Sequence, residues 1–339
     1  MNRYRKSPYI DELQANRQLL DLSFLVGKTL AISGATGMIG TYLIDTLLID
    51  EKFNIKIIAL VRDVQSALDR FIKFIDDSRL VFVKTNLTEP ILIEEHVDYI
   101  IHAASLTSPH DYHDHPIDTM LLNFIGNKQM LDLAVNKLAR YMFVSSTEVY
   151  GQSIGALMDE TYSGYLNPLD VRSAYNEGKR AGETLTICYA AEHGLDVVIP
   201  RLSRGYGPTL KDSDRKALSQ FLFAASRHEP IILKSQGTQK FSYTYVSDIV
   251  SALLFLLQHG KNKEAYNVGG EETLSLLEIA QLIGKIGDVK VTIDLTPDTN
   301  MSYSKAHHAL LDISKIKALG WKPRINLQQG LSQTLSVWA

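Results

Sequence analysis

Residues 29–50 read TLAISGATGMIGTYLIDTLLID, in which an apolar run, a glycine-rich turn and a second apolar segment follow one another directly. The run Thr29–Ser33 predicts a buried parallel strand, because such strands lack a polar face, and Met38–Asp50 predicts a helix. The glycines between them have the spacing G-x-x-G-x-x-G and are Gly34, Gly37 and Gly40. In a strand–turn–helix unit the first permits a tight turn, the second lets a pyrophosphate approach, and the third lets the helix pack closely. Because a helix N-terminus offers free N–H groups to phosphates, the stretch predicts a dinucleotide-binding site rather than a turn without a ligand.

Strands alternate with helices through residues 28–200 at the spacing of βαβ units. Further strands are predicted at 55–61, 80–84, 98–102, 141–145 and 196–200, and long helices at 120–138 and 173–193. This alternation predicts an α/β fold with a Rossmann-type doubly wound, mostly parallel sheet and right-handed crossovers. Residues 28–200 are therefore interpreted as the dinucleotide-binding domain.

Residues 201–339 predict a smaller mixed α/β C-terminal substrate lobe, whose segments are interleaved with the first domain. Its helices are predicted near 217–227, 247–259 and 275–286, its strands near 230–233, 265–268 and 289–293, and a loop at 205–214. Residues 1–27 predict an N-terminal helical extension, with a helix at 8–22 that we expect to dock onto the core.

The composition is that of an ordinary globular protein, with 339 residues, 45% hydrophobic and 22% charged. The net charge of −3 and the lack of a basic stripe predict no nucleic-acid partner. The single cysteine, Cys188, excludes an intrachain disulfide and argues against a cysteine-based metal site. The apolar runs are too short to span a bilayer and the first ten residues lack the apolar core of a signal peptide, so we expect a cytoplasmic protein without a membrane partner.

The segment YNEGK carries the spacing Y-x-x-x-K between Tyr175 and Lys179. Residues four apart on a helix share a face, so the phenol and the ammonium point into one site. A nearby lysine is expected to lower the pKa of the phenol, which could then take a hydroxyl proton while hydride leaves to a nicotinamide. Ser146 and Glu148, at the end of the preceding strand, place a hydroxyl and a carboxylate at the same edge, where such folds bind ligands.

These motifs form an ordered series that resembles the extended short-chain dehydrogenase/reductase family (NAD-dependent epimerase/dehydratase), and within it the nucleotide-sugar 4,6-dehydratases and decarboxylases. The resemblance spans roughly residues 28–335. It rests on the glycine motif, Tyr175-x-x-x-Lys179, and the segments His102–Ser105, Ser146–Gly151, Gly205–Pro208, Tyr245–Asp248 and Leu319–Trp321. Residues 167–180 are especially similar to UDP-glucuronate decarboxylases.

The resemblance implies a role for each catalytic candidate. Tyr175 would be the base that oxidises the sugar C4 hydroxyl, Lys179 would hold the nicotinamide ribose, and Ser146 would contact the sugar O4. Glu148 matches the carboxylate that abstracts the C5 proton in 4,6-dehydratases and a glutamate of the decarboxylases, and simple 4-epimerases generally lack it. Thr147 stands where dTDP-glucose 4,6-dehydratases carry an acid, so the chain departs from them there.

The resemblance implies an NAD(P)-dependent enzyme that dehydrates or decarboxylates a nucleotide sugar through a 4-keto intermediate. The enzyme alternatives are an epimerase or a 4-reductase, and the alternative of another class is a non-catalytic dinucleotide-binding protein.

The implied cofactor is NAD, tightly bound and recycled, with NADP possible. Val61 replaces the acidic residue that usually ends the second strand, and Arg62 after it can accept a 2′-phosphate or be a solvated loop residue. Asn86 also departs from the usual aspartate at its position. Besides the three glycines and the Tyr–Lys pair, the implied cofactor contacts are Thr36, Met38, Ile39, Arg62, Asn86, Leu87, Ala103, Ala104, Ser105, Asn123, Ser145 and Pro200, the last of which ends the sixth predicted strand.

The substrate side departs further from the family pattern. Phe241, with Lys240 beside it, stands where family members carry an arginine, Arg204 replaces an asparagine, and a second family arginine falls near His307-His308. The implied substrate contacts are Ser108, Thr147, Asn176, Arg204 and Lys240. These changes indicate either a rebuilt anion site or a substrate other than the common nucleotide sugars.

Two further features have alternative interpretations. The segment HDYHDH at 110–115 has the composition of a metal site, but the matching loop of the family borders the substrate, and we predict no metal. The apolar faces of helices 120–138 and 173–193 pack on the sheet or, as in the family, form a four-helix interface between two copies, and we predict a homodimer.

Overall fold

The computed structural model describes residues 3–153, 155, 157–295 and 308–338. Its strands are β1 (Lys28–Ser33), β2 (Ile55–Val61), β3 (Leu80–Lys84), β4 (Tyr99–His102), β5 (Arg140–Phe143), β6 (Ser145–Ser146), β7 (Val197–Leu202), β8 (Arg204–Tyr206), β9 (Ile231–Leu233), β10 (Lys240–Tyr245), β11 (Glu264–Val268), β12 (Thr273–Ser275), β13 (Val291–Ile293) and β14 (His308–Ala309).

The α-helices are α1 (Ser7–Gln18), α2 (Met38–Leu48), α3 (Val64–Arg70), α4 (Pro109–Asp114), α5 (Pro116–Leu121), α6 (Asn127–Lys137), α7 (Ser173–Glu192), α8 (Ala217–Ser226), α9 (Val246–His259), α10 (Leu276–Gly287), α11 (Ser314–Leu319) and α12 (Leu327–Trp338). Short 3₁₀ turns cover Arg3–Arg5, Ser23–Leu25, Ile72–Phe74 and Thr147–Tyr150, and a π-turn covers Leu122–Gly126.

Eight strands of the described residues form one parallel sheet in the order β3-β2-β1-β4-β5-β7-β11, with β6 beside β7. The order reverses direction at β1, as in doubly wound folds, and this confirms the predicted Rossmann-type sheet. The register pairs Ser33 with Leu60 on one side and with His102 on the other. The strands therefore end together, and the turns that follow them meet at one edge.

Two hydrophobic clusters cover the two faces of this sheet. One joins β1 and β2 to α1, α2, α9 and the C-terminal helices, and the other packs α6 and α7 on the opposite face. The segment after residue 200 also builds a small sheet of β12, β10, β14 and β8, and a β9–β13 pair. Its strand β11 returns to the large sheet and pairs with β7.

The structure corrects several predicted bounds. The helix predicted at 120–138 begins earlier, at Pro116, and is interrupted by the π-turn. The loop predicted at 205–214 contains most of β8, and β10 was not predicted although its sequence KFSYTY alternates polar and aromatic residues, a strand pattern. The helix predicted at 8–22 ends at Gln18.

The N-terminal extension packs on α2 through a buried charge. Asp45, which is fully buried, accepts hydrogen bonds from Arg3 Nε at 3.0 Å and from the Tyr4 hydroxyl at 2.6 Å. Glu12 accepts hydrogen bonds from the hydroxyls of Tyr42 at 2.6 Å and Tyr245 at 2.8 Å. Because Tyr245 ends β10, residues 3–18 connect the helix after the glycine-rich turn to the C-terminal segment.

Candidate active site

The turn between β1 and α2 has the geometry that its glycine spacing predicts. Gly34 has a φ of +76°, and a Cβ there would lie 2.7 Å from the carbonyl carbon of Ala103, at the end of β4. A Cβ on Gly40 would lie 2.4 Å from the Gly34 carbonyl oxygen, so glycine is required for α2 to pack this closely. No described side chain caps α2, which begins at Met38. Its first N–H groups are therefore available to a phosphate, and the turn fits a dinucleotide.

Other predicted cofactor residues follow β1, β3 and β4 at the same edge. Asn123 is fully buried; its amide oxygen accepts a hydrogen bond from Ser105 Oγ at 3.0 Å, and its nitrogen donates to the Thr119 carbonyl at 2.8 Å. Asn86 is exposed and donates to Glu89 at 2.8 Å, so its amide belongs to a local turn. The residues placed along this edge are Thr36, Met38, Ile39, Asn86, Leu87, Ala103, Ala104, Ser105 and Asn123.

Two of the predicted cofactor residues, Ser145 and Pro200, have surroundings that the sequence did not predict. The Ser145 hydroxyl donates to the Glu183 carboxylate at 2.5 Å, and Glu183 in turn pairs with Arg201 at 2.7 Å. The prediction that Pro200 ends its strand is wrong, because β6 pairs with Arg201 and Leu202 and extends β7 past the proline. Pro200 is thus an internal residue of β7.

Tyr175 and Ser146 form the centre of the candidate active site. Tyr175 is buried in the first turn of α7, near enough to Ser146, at the end of β6, for the serine hydroxyl to act on its pKa. Its ring stacks on Tyr112, with the ring centroids 4.7 Å apart and 15° between the planes. Burial raises the pKa of the Tyr175 phenol, the nearby Ser146 hydroxyl opposes that rise, and the charge of Glu148 adds to it. The phenol is held in its neutral form beside a hydroxyl that can share its proton.

The expected lowering of the Tyr175 pKa by Lys179 is wrong for this structure. The Lys179 ammonium donates to the Val144 carbonyl at 2.7 Å and lies 4.7 Å from the centre of the Phe143 ring. Burial lowers the pKa of Lys179 to about 7, although the Glu183 carboxylate acts in the opposite direction. A desolvated lysine loses its charge near neutral pH, and its field on the phenol weakens accordingly.

Glu148 is fixed next to Tyr175 by a neighbour on the same helix. Asn176 Nδ2 donates to the Glu148 carboxylate at 2.9 Å and to its backbone carbonyl at 2.8 Å. Ser146 Oγ also accepts the Glu148 backbone N–H at 3.3 Å. The structure therefore brings Ser146, Glu148, Tyr175 and Asn176, all predicted from the sequence, to one place.

Arg172 belongs to this site and was missed as a site residue by the sequence reasoning. Its Nη2 lies 3.8 Å from the Glu148 carboxylate, and its charge acts on the buried Tyr112 phenol. Arg172 Nε and Asn176 Oδ1 are buried without a hydrogen-bond partner in the described part of the chain. The available signal was spacing, because Arg172 precedes Tyr175 by one helical turn at the N-cap of α7.

The predicted substrate residues divide into two groups. Thr147 and Arg204 line a small cavity with Glu148 and Phe241, and the Arg204 guanidinium lies 3.6 Å from the centre of the Phe241 ring. Lys240, by contrast, is exposed at the start of β10, and its charge acts on Glu278 in the first turn of α10. The histidine side chains at 307 and 308 lie outside the described residues.

The loop before α5 shapes the site. The Ser108 carbonyl accepts the Tyr112 N–H at 3.2 Å, which orients the ring that stacks on Tyr175. Among the side chains that are described, no three of histidine, cysteine, aspartate or glutamate are grouped as metal ligands, and residues 110 and 111 are outside that description. None of the described helices is both long enough and apolar enough to cross a membrane.

A family profile matches this arrangement over most of the chain. The profile is that of the NAD dependent epimerase/dehydratase family, and it matches residues 30–269. The chain belongs to this family. The predicted resemblance and the predicted NAD cofactor are thereby confirmed at the level of the epimerase/dehydratase family.

Curated relatives in the epimerase/dehydratase family span nearly the whole chain. UDP-glucuronic acid decarboxylase 5 of Arabidopsis thaliana is 35% identical over 301 residues, covering 88% of this chain and 86% of the relative. UDP-glucuronic acid decarboxylase 1 of Danio rerio is 31% identical over 314 residues, covering 92% of this chain and 73% of the relative.

Solved structures share the fold at lower sequence identity. A UDP-glucose 4-epimerase from Thermotoga maritima has a TM-score of 0.79 and 21% identity, covering 91% of this chain and 97% of its own. A dTDP-glucose 4,6-dehydratase from Streptomyces venezuelae has a TM-score of 0.79 and 22% identity, covering 91% and 96%. These likenesses confirm the fold class.

Proposed function

We propose that this epimerase/dehydratase decarboxylates a nucleotide-linked hexuronate through a 4-keto intermediate. The observation that carries the proposal is the Glu148 carboxylate held beside Tyr175 by Asn176 and Arg172. Hydride exchange at C4 needs a base for the C4 hydroxyl, whereas a reaction that changes C5 needs a second group for the proton there. The names of the relatives at 31–35% identity, which are UDP-glucuronic acid decarboxylases, support the same reaction.

The residues that would hold NAD are the glycine-rich turn, the start of α2, Asn123 and Lys179. They fit a dinucleotide because the turn leaves backbone N–H groups uncapped and because Lys179 is buried at the strand edge. When bound, NAD supplies the hydride acceptor for C4 and returns the hydride later, so that it is recycled.

Tyr175 and Ser146 handle the proton of the C4 hydroxyl. Ser146 would orient the sugar O4, and Tyr175 would receive the C4 proton as the phenolate, after its own proton has passed to solvent. Burial excludes water from the phenol, and the stacked Tyr112 ring limits its rotation. Both effects favour one geometry for the proton transfer.

The ketone at C4 makes loss of the C5 carboxylate favourable. The bond between C5 and the carboxyl carbon breaks, CO₂ leaves, and the electron pair enters the C4 carbonyl as an enolate. Protonation of C5 then gives the 4-keto pentose, and we assign the proton at C5 to Glu148. Of Glu148, Asn176 and Arg172, only Arg172 carries a positive charge, which complements a carboxylate. Its Nε has no hydrogen-bond partner among the described residues and could donate to the substrate.

Thr147 distinguishes this proposal from 4,6-dehydration. Elimination of the C6 hydroxyl needs an acid to protonate the leaving group. Thr147 supplies a hydroxyl at the cavity wall instead of a carboxyl. A dehydratase is nevertheless the second candidate, because Glu148 is equally placed to remove a C5 proton.

The test is an assay of the purified chain with paired substrates. UDP-, GDP-, dTDP- and CDP-linked hexuronates would each be compared with the matching hexose, with mass spectrometry of the products. Loss of CO₂ from a hexuronate supports the proposal. Loss of water from a hexose with no change in any hexuronate would establish dehydration instead, and isomers of unchanged mass would establish epimerisation.

We further propose that the chain forms a homodimer through the helix that precedes the active site. Ile117, Met120, Leu121 and Phe124 are 71%, 43%, 44% and 39% exposed. Their spacing places them on one helix face, next to α7, and such an apolar stripe favours a second copy as its partner.

Light scattering after gel filtration would test the dimer. Phe124→Lys should yield a monomer, while Leu92→Lys, at an isolated residue that is 89% exposed, should leave a dimer. A monomeric unmodified chain would contradict the proposal. We also propose a cytoplasmic location, which the free exposed thiol of Cys188 supports because reducing compartments preserve thiols.

A further inference from the structure

A buried glutamate on α7 has no part in the reaction described above. Glu183 lies one turn after Lys179 and about two turns after Tyr175, so the three side chains follow one stripe of the helix. Only 12% of the Glu183 side chain is exposed. Burying a carboxylate is costly unless it is paired and hydrogen-bonded, and Glu183 is both. Its place on the stripe of the two catalytic candidates indicates a role in the same site.

The Arg201 guanidinium forms a bidentate ion pair with Glu183. Arg201 Nε donates to Glu183 Oε1 at 3.0 Å, and Arg201 Nη2 donates to Glu183 Oε2 at 2.7 Å. The third nitrogen, Nη1, donates to the Tyr150 hydroxyl at 3.1 Å and to the Glu160 carbonyl at 2.8 Å. Bidentate pairs of arginine and carboxylate are strong and fix the relative orientation of both groups. All three guanidinium nitrogens are engaged, so the ion pair is a rigid connection between α7 and β7.

The same carboxylate holds the strand that carries Ser146. Ser145 Oγ donates to Glu183 Oε1 at 2.5 Å. In the preceding residue, the Val144 carbonyl accepts a hydrogen bond from Lys179 Nζ at 2.7 Å. Helix α7 is therefore bonded to both of the residues that come directly before Ser146.

Ser146 depends on this support because its strand is short. Strand β6 consists of Ser145 and Ser146 alone, and in the described part of the chain it pairs only with β7. The chain leaves the strand directly after Ser146, in the 3₁₀ turn Thr147–Tyr150. The position of the Ser146 hydroxyl is thus set largely by the bonds made at Ser145.

We propose that Glu183, anchored by Arg201, is a positioning residue that holds Ser145 and thereby fixes the Ser146 hydroxyl relative to Tyr175. A displacement of about 1 Å in such a group is enough to slow a reaction strongly. The inference rests on the proposed oxidation at C4, in which Ser146 orients the sugar O4. Decarboxylation, dehydration and epimerisation share this step, so the inference does not depend on which product forms.

The test is a double-mutant cycle between Ser145→Ala and Ser146→Ala. The reduction of bound NAD is measured by transient absorbance in a single turnover, with the UDP-, GDP-, dTDP- and CDP-linked hexuronates and hexoses as probes. Ser145→Ala alone should slow the reduction about tenfold, the value of one hydrogen bond to a charged group. In a chain that already carries Ser146→Ala, it should slow the reduction less than about twofold, because the group through which Ser145 acts is absent.

Glu183→Gln tests the carboxylate itself. The amide keeps the size of the side chain but cannot form the bidentate pair with Arg201, so NAD reduction should slow about tenfold or more. The Kd for NAD, measured by calorimetry, should stay nearly unchanged in Glu183→Gln and in Ser145→Ala. If the loss of the buried pair prevents Glu183→Gln from folding, the cycle at Ser145 decides the proposal.

Ser251→Ala is the matched control, because it removes a buried serine hydroxyl from another helix, α9. The Ser251 hydroxyl donates to the Asp248 carbonyl and accepts the Trp321 Nε1–H, both at 2.9 Å. Its loss should lower the free energy of unfolding and leave the rate of NAD reduction unchanged.

Three results would overturn the positioning role. One is a rate of NAD reduction in Ser145→Ala equal to that of the native chain. Another is an equal slowing by Ser145→Ala with and without Ser146→Ala, since the role would then be structural. The third is a loss of NAD affinity in Ser145→Ala that matches the loss of rate, since Ser145 would then contact the cofactor. A product other than the pentose would contradict the proposed decarboxylation only, whereas NAD that no probe reduces would overturn both proposals.

Discussion

Two groups of functional side chains meet at the first turns of α7 and differ in their contact with solvent. Towards the predicted nicotinamide contacts, Tyr175 and Lys179 are buried, and burial is the largest influence on the pKa of each. Towards the substrate cavity, the side chains of Glu148 and Arg172 keep 23% and 19% of their surface exposed and face each other across 3.8 Å. The first group depends on desolvation and the second on paired charge.

This difference separates the parts of the reaction. Desolvation fixes the groups that move the C4 proton and protects them from salt, because buried interactions are screened weakly. Paired charges at the cavity remain open to solvent and can exchange one carboxylate partner for another. The buried group is therefore expected to control kcat, and the open group the recognition of the substrate and the proton at C5.

The largest effect is expected in the buried group, Tyr175 and Lys179. Tyr175→Phe should lower kcat by about 10³-fold, because it removes the phenol oxygen assigned to take the C4 proton while the stacked ring remains. Steady-state turnover of the hexuronate measures it. Tyr165→Phe removes a hydroxyl from a ring that is 64% exposed and should keep full activity. A kcat within tenfold of the native value for Tyr175→Phe would reject its role as the base.

A smaller effect, specific to the proton transfer at C5, is expected in the solvent-exposed group, Glu148 and Arg172. Glu148→Gln keeps the shape of the side chain and its bond to Asn176 but cannot exchange a proton, and it should lower product formation by about 10²-fold. Oxidation at C4 should persist, which transient absorbance of the reduced cofactor would show. Glu177→Gln, on α7 and paired with Arg180 at 3.6 Å, is the control. Full product formation by Glu148→Gln would show that Glu148 does not transfer the proton at C5.

The parallel sheet, the glycine-rich turn and the buried pair of Tyr175 and Lys179 could be predicted because their sequence signals are local. The alternation of apolar runs and helices specified the parallel sheet, and the spacing of Tyr175 and Lys179 placed both on one face of α7. Gly34 required a left-handed turn, and the structure has it. Each of these signals lies within a few residues of sequence, where helix and strand periodicity act directly.

The solvent-exposed part of the site depends on contacts between distant segments, which no local sequence pattern predicts. Arg172 reaches Glu148 from a residue 24 positions away, after a loop without regular periodicity. The exposed location of Lys240 follows from its place in β10, whose neighbours β8, β12 and β14 come from three separate segments. The pKa of Tyr175 likewise depends on burial by Tyr112 and the strand ends, so the expected influence of Lys179 was overestimated.

Arg172→Lys tests, through KM, whether the solvent-exposed group controls substrate recognition. Lysine keeps the charge but loses the planar fork that suits a carboxylate, so we expect KM for the hexuronate to rise about tenfold with kcat nearly unchanged. Added salt should raise KM further in the native chain and have little effect on kcat. Arg215→Lys, at an exposed arginine, is the control. An equal fall in kcat, with KM constant, would show that Arg172 acts on the chemical step instead.

The smallest effect is a pH dependence of the free energy of unfolding that arises from Lys179, in the buried group. The pKa of Lys179 falls from 10.5 to about 7 on folding. Between these values the unfolded chain holds a proton that the folded chain has lost, so the free energy of unfolding contributed by this group rises with pH through that window. Urea unfolding of the native chain and of Lys179→Met from pH 7 to 9 should show their difference growing in favour of the native chain. Lys73→Met, at an exposed lysine, should show a constant difference. A constant difference for Lys179→Met as well would mean that Lys179 stays charged in the folded chain, so that charge would act in the buried group as it does between Glu148 and Arg172.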